Sequence, residues 1–201
     1  MIDEILRHLE ALVAFDTRNP PRAFDGEGVF AYLRAQLPGF KHELRDHGAG
    51  AVSLLSVRGR PTRVYNVHLD TVPVAEGWNQ DPFRLALRDG RAIGLGACDI
   101  KGAAAGLLVA ARRTSGDAAF LFTSDEEGND ARCIAAFLRE HPEYTEAGVA
   151  EPTRAAAVLS HRGIVSAQAR FRGIPGHASE RRALGDSAVH RAVEWGAKAL
   201  A

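Results

Sequence analysis

The sequence predicts an α/β chain: a mostly parallel, twisted sheet flanked by helices, followed by the start of a separate α+β unit. Three observations carry this. Strand-like apolar segments alternate with helical ones from the N-terminus to about residue 150. The segment "IVSAQARFRG", Ile164 to Gly173, then switches to the apolar/polar alternation of a half-exposed strand. Finally, the last helical segment runs into Ala201 with no capping signal.

Taken in order, Ile2, Ile5, Leu6, Leu9, Leu12 and Val13 recur at helical spacing, and a second helix is expected over Gly28 to Leu37. The intervening "FDTRNPP" is loop, because Pro20 and Pro21 exclude helix. Strands are expected at Ala51 to Val57, Arg63 to Asp70 and Ala118 to Thr123, with helices near Ile100 to Arg113 and Ala131 to Glu140 between and after them. The stretch "AGVAEPT" closes this part as a strand end, and Asp130 is expected to cap the helix that follows it. A Gly-rich loop, "GIPGHASERRALGD", leads to a helix from about Ser187. The boundary is placed between residues 162 and 163. One strand and one helix cannot bury a core, so the second unit reads as incomplete.

Composition narrows the function classes. With 25 basic and 25 acidic residues the chain is neutral, so it carries no electrostatic footprint for nucleic acid or an anionic membrane. The longest strongly apolar run, Gly102 to Ala111, is too short to span a bilayer. The N-terminal "MIDEILRHLEALV" is charged and amphipathic, unlike a signal peptide. Cys98 and Cys133 form neither a short metal spacing nor a disulfide framework, and a reducing cytoplasm is the simplest setting.

Four acidic or histidine motifs stand at predicted strand ends, where ligands of open α/β sheets gather. In "NVHLDTVP", His68 and Asp70 are two apart on a strand and share a face. Asp70 could orient one imidazole nitrogen while the other binds a metal, although a strand-end histidine with a turn aspartate fits as well. Asp99 in "GLGACDIKG" reads by itself first as a helix cap, with a carboxylate able to bridge two cations as the alternative, and Cys98 beside it reads as a small packed residue rather than a soft ligand. In "FLFTSDEEGND" an apolar strand ends on Asp125, Glu126 and Glu127, whose mutual repulsion needs a cation or a helix N-terminus to offset it. Asp130 already reads as the cap, so a helix start leaves Glu126 and Glu127 unaccounted for; a metal ligand beside a general base would account for both. Glu151 in "VAEPT" follows a further apolar segment.

Together these motifs resemble the metal-dependent amidohydrolases of peptidase family M20, and within it the deacetylases acting on acetylornithine or acetylcitrulline. The segments "HLDTVP", "GLGACDIKG", "SDEEG" and "AEPT" stand in the family's order, and "HRG" (His161 to Gly163) and "GHAS" (Gly176 to Ser179) extend the likeness. The resemblance implies a zinc exopeptidase-like catalytic domain in residues 1–162 and a lid or dimerisation domain beginning at 163–201. It implies metal-dependent hydrolysis of an N-acetyl amide of an amino acid, in arginine biosynthesis. The alternatives are another activity of the family, such as that of a succinyl-diaminopimelate desuccinylase, aminoacylase or dipeptidase, or an inactive metal-binding fragment. Carried over residue by residue, His68 binds one metal with Asp70 orienting it, Asp99 bridges two, Glu127 ligates one and Glu151 the other. Glu126 is the general base, and His177 the lid histidine that stabilises the oxyanion in the partner subunit's site. Two Zn²⁺ ions per complete site are implied, with Co²⁺ as a substitute, and a homodimer formed through the lid. The family's last metal-ligating histidine lies beyond the lid; His190 does not match it, and the expectation is a truncated form of a longer enzyme.

Overall fold

Side-chain alternation along one strand sets the layering. In the segment Ala118–Thr123, Phe120 and Phe122 join one hydrophobic cluster while Ala119 and Leu121 join another, because successive residues of a strand face opposite sides. A strand apolar on both faces must lie inside a sheet covered on both sides. The computed structural model shows this arrangement; it describes residues 1–21, 27–154, 156–160, 163, 167–177, 179–181, 185 and 187–200. The chain divides into two compact units, Met1–Ala157 and Val158–Ala201.

In the first unit the helices are α1 (Ile2–Ala14), α2 (Val29–Gln36), α3 (Gly102–Arg113) and α4 (Arg132–Glu140). The strands are β1 (Lys41–Asp46), β2 (Val52–Arg58), β3 (Arg63–His68), β4 (Ala86–Arg88), β5 (Arg91–Ile93), β6 (Ala118–Thr123) and β7 (Glu146–Val149). Five strands form one sheet in the order β1-β2-β6-β3-β7. The sheet is mixed: β3 runs parallel to β6 and β7, whereas β2 runs antiparallel to β1 and β6. Leu9, Leu12, Leu33, Ala104 and Leu108 from α1, α2 and α3 pack with Phe120 and Phe122 on one face, and Phe137 of α4 packs with Leu55, Val64 and Leu121 on the other.

Two elements escaped the sequence reading. β1, "KHELRD", has no apolar alternation; it is a polar edge strand paired only with β2, and its charges discourage pairing with another chain. The β4–β5 hairpin turns at Asp89 and Gly90, both with positive φ (51° and 72°), which is the Asp-Gly signal for a tight hairpin. The expected cap of α4 also moves. Ala131 occupies the cap position, and the amide of Cys133 donates to the Asp125 carboxylate at 2.9 Å, while Asp130 pairs with Arg132 at 3.0 Å. Asp125, one of the three adjacent acids, therefore serves the helix start.

The second unit contains α5 (Ala188–Ala199), begun by Ser187, whose hydroxyl accepts from the Val189 amide at 3.2 Å as an N-cap should. Phe171 and Trp195 pack with tilted rings whose centroids are 5.7 Å apart, and Arg191 donates to the Arg172 carbonyl. The strand expected at Ile164 to Gly173 is not formed over 167–173, and Ile164 to Ser166 lie outside the described residues. A strand needs a ladder partner, and no strand is present among the described residues of this unit. His161 and Arg162 also lie outside the described residues.

The core of the first unit should carry most of its stability. Leu108→Ala, at a fully buried position, is expected to cost about 2–5 kcal/mol in urea unfolding. Leu138→Ala, at a position on α4 that is 68% exposed, should change stability by no more than about 0.5 kcal/mol.

Candidate metal centre

The parallel half of the sheet places three strand ends side by side. β3 ends at His68, β6 at Thr123 and β7 at Val149, so His68, the Asp125 to Glu127 segment and Glu151 emerge along the same edge. Asp99 reaches this edge from an irregular turn over Ala97–Lys101. The cap reading of Asp99 does not hold, because α3 begins after Lys101 and has no side-chain cap. Asp99 is half-exposed and turned to His68 instead.

That turn is fixed by close packing. Gly96 has φ 74°, and a Cβ there would lie 2.5 Å from the Thr71 methyl, so glycine alone fits. Lys101, fully buried, donates from Nζ to the Phe15 carbonyl at 2.9 Å and ties the end of α1 to the turn. Burial pushes the Lys101 pKa down to about 8, an effect opposed by Asp16.

His68 is the centre of the cluster. Its ring is buried, with Nδ1 3.0 Å from the Asp70 carbonyl and 3.5 Å from the Asp70 carboxylate oxygen Oδ1. Both neighbours are acceptors, so Nδ1 carries hydrogen. The other nitrogen, Nε2, lies 3.1 Å from Asp99 Oδ1 and 3.8 Å from Glu151 Oε1. Ligand atoms of His68, Asp99 and Glu151 all fall within 4.8 Å of one another, as do those of His68, Glu126 and Glu127. Asp70 is wholly buried; its Oδ2 accepts from Asn19 Nδ2 at 2.9 Å and from the Glu127 amide at 2.8 Å.

Electrostatics describe a site short of positive charge. Burial alone would lower the His68 pKa, but Asp70, Glu126 and Glu151 outweigh it and raise it to about 9. Burial, with the surrounding acids, raises the pKa values of Glu127 and Glu151, although His68 opposes this. Burial would also raise Asp70, yet His68, Asn19 and the Glu127 amide hold it below the usual carboxylate range.

These residues fit a divalent cation. Without one, Nε2 must carry a second proton to face the Asp99 carboxylate; a cation would take that proton's place and also offset the repulsion among the acids. Oδ1 of Asp70, buried with no hydrogen-bond partner among the described residues, is turned to the ring that such a cation would need oriented. Cys98 is exposed beside Asp99 and belongs to neither group, and burial pushes the Cys133 thiol pKa up.

Six of the seven expected site residues, His68, Asp70, Asp99, Glu126, Glu127 and Glu151, thus come together in the first unit. His177 belongs to the second unit, where it is exposed with Nδ1 2.8 Å from the Ser179 hydroxyl. Asn19 was missed. Nothing local in "TRNPP" links it to a carboxylate 51 residues away.

The His68 proton makes cation binding pH-dependent. Zn²⁺ has to displace it, so affinity should rise by about tenfold per pH unit from about pH 7 and level off above about 9, with about one proton released at neutral pH in buffers of differing protonation enthalpy. Stability without a cation runs the other way. A raised histidine pKa contributes stability that is fully present below 6.5 and lost as pH rises through about 9. The cation-free melting temperature should fall across that interval, and Zn²⁺ should restore it.

Residues 64–197 match the family model described as peptidase family M20/M25/M40. The chain is 58% identical, over all 201 residues, to N-acetyl-L-citrulline deacetylase of Xanthomonas campestris pv. campestris, covering 55% of that protein. It is 36% identical over 163 residues to succinyl-diaminopimelate desuccinylase of Acidiphilium cryptum, covering 72% of this chain and 43% of the relative. The chain therefore spans about half the length of the curated relatives it matches. Human carnosine dipeptidase 1 shares the fold with a TM-score of 0.64 at 21% identity, over 73% of this chain and 38% of that one. The M20 family metallo-carboxypeptidase Sso-CP2 of Sulfolobus solfataricus does so with a TM-score of 0.59 at 20% identity, over 74% and 37%. The chain belongs to peptidase family M20/M25/M40.

Proposed function

We propose that this chain is the catalytic part of a metal-dependent amidohydrolase that removes the acetyl group from an N-acetylated amino acid, acetylcitrulline or acetylornithine, in arginine biosynthesis. The observation that carries the reading is the convergence of Asp99, Glu126, Glu127 and Glu151 on the buried imidazole of His68. The substrate class rests on the 58% identity to a protein named N-acetyl-L-citrulline deacetylase.

In this reading His68, Asp99, Glu127 and Glu151 would hold two Zn²⁺ ions, replaceable by Co²⁺. Bound there, the ions supply Lewis acidity to the scissile carbonyl and lower the pKa of water. The chain's own residues do the rest. Asp70 keeps the hydrogen on His68 Nδ1 and so frees Nε2 for ligation. Glu126, exposed at the mouth of the cluster, takes the proton from the attacking water as oxygen bonds to the acetyl carbon. It returns that proton to the amide nitrogen as the carbon–nitrogen bond breaks, and acetate and a free amine leave. His177 would offset charge on the tetrahedral oxygen across a homodimer formed through the second unit. The protein would work in the cytoplasm on a small molecule, with no nucleic acid or membrane involved.

A second reading, desuccinylation of N-succinyl-diaminopimelate, is favoured by the 36% identical relative. Comparing hydrolysis of acetylcitrulline, acetylornithine and N-succinyl-diaminopimelate separates the two. An acetylated substrate should lead in kcat/KM by more than about tenfold. In the full-length protein, Glu126→Gln should lower kcat by about 10²–10⁴ with metal content unchanged; a loss of only a few-fold would assign the base elsewhere.

A further inference from the structure

We infer that Asn19 is a positioning residue that holds the His68 and Glu126–Glu127 halves of the site in register. The inference rests on the metal-site reading above. Asn19 is 2% exposed, and its side-chain amide makes two donations. One goes to Asp70 Oδ2 at 2.9 Å, just past the end of β3; the other goes to the Ser124 carbonyl at 3.4 Å, just past the end of β6. Both partners accept only, which fixes the amide with its nitrogen inward.

The two donations join separate strand exits. The β3 exit carries His68 and Asp70, and the β6 exit carries Glu126 and Glu127. The Glu127 amide closes the loop by donating to the same Asp70 oxygen at 2.8 Å. The loop bearing Asn19 is itself pinned, since its amide donates to the Thr71 carbonyl at 2.8 Å and the Thr71 amide to the Thr17 carbonyl at 2.9 Å. Ser124 is anchored from the far side, accepting from the Val52 amide and donating to the Gly50 carbonyl. With Asp70 Oδ2 held by two donors, Oδ1 stays aimed at the His68 ring. Only a short neutral donor suits this place: an aspartate would set a second carboxylate against Asp70, and a leucine would leave Asp70 and the Ser124 carbonyl each one donor short.

The test uses the full-length protein with Asn19→Asp, which keeps the shape, Asn19→Leu, which removes the polarity, and Thr17→Val as a control in the same loop. Zn²⁺ affinity is measured by competition with a chromogenic chelator, the visible spectrum with Co²⁺ in the site, and the melting temperature without metal. Both Asn19 variants should bind Zn²⁺ about 10- to 100-fold more weakly and shift the Co²⁺ bands, while Thr17→Val matches the parent. A folded Asn19 variant with parental Zn²⁺ affinity and an unchanged Co²⁺ spectrum overturns the inference alone. Failure of both Asn19 variants to fold also overturns it, by assigning Asn19 to stability. If the parent itself takes up no Zn²⁺, the metal-site reading falls and this inference falls with it.

Discussion

The buried carboxylate of Asp70 is the interaction on which the site depends. It is fully withdrawn from solvent, and an ion so placed survives only with several donors around it. It has them: the His68 ring faces one oxygen, while Asn19 and the Glu127 amide hold the other. Each donor comes from a different stretch of chain. The carboxylate thereby ties the segment leaving β6 to the loop after α1, while the Asp70 carbonyl sets the tautomer of His68. In the proposed reading, a ring held this way is ready to ligate.

The sheet explains why those stretches can meet. Parallel pairing of β3 with β6 and β7 brings three strand exits to one edge, and apolar layers pack against both faces of the sheet. The adjacent acids after β6 divide between two tasks. Asp125 turns inward to the Cys133 amide and begins α4, which leaves Glu126 and Glu127 to face His68. The repulsion that such a run of acids creates is thus reduced in part by the helix, and the remainder falls on the imidazole. Asp99 adds to that remainder from the turn before α3, a position possible only because Gly96 and Lys101 pack that turn closely against Thr71 and the end of α1.

Much of this was legible in the sequence because it is local. Helical spacing in Ile2 to Val13 and two-sided apolarity in Ala118 to Thr123 correspond to α1 and β6. His68, Asp99, Glu126, Glu127 and Glu151 could be singled out because they stand at predicted strand ends, in motifs that follow the order of the M20 family. What escaped depends on pairing or on distance. β1 is polar apart from Leu44 and is a strand only because β2 offers it a ladder. Asp130 looked like the cap of α4, but Asp125 reaches the Cys133 amide across a loop whose shape no local pattern gives. Asn19 is joined to Asp70 through space, and the Pro residues after it point only to a loop.

The central claim, that the His68 imidazole and its ring of carboxylates form the metal centre, is tested most directly by X-ray absorption at the zinc edge of the Zn²⁺-loaded 201-residue chain. The account predicts nitrogen and oxygen scatterers at about 2.0–2.2 Å, with an imidazole outer-shell signal that disappears in His68→Ala. A sulfur scatterer at about 2.3 Å, which would bring in Cys98, or an imidazole signal that survives in His68→Ala, would contradict it.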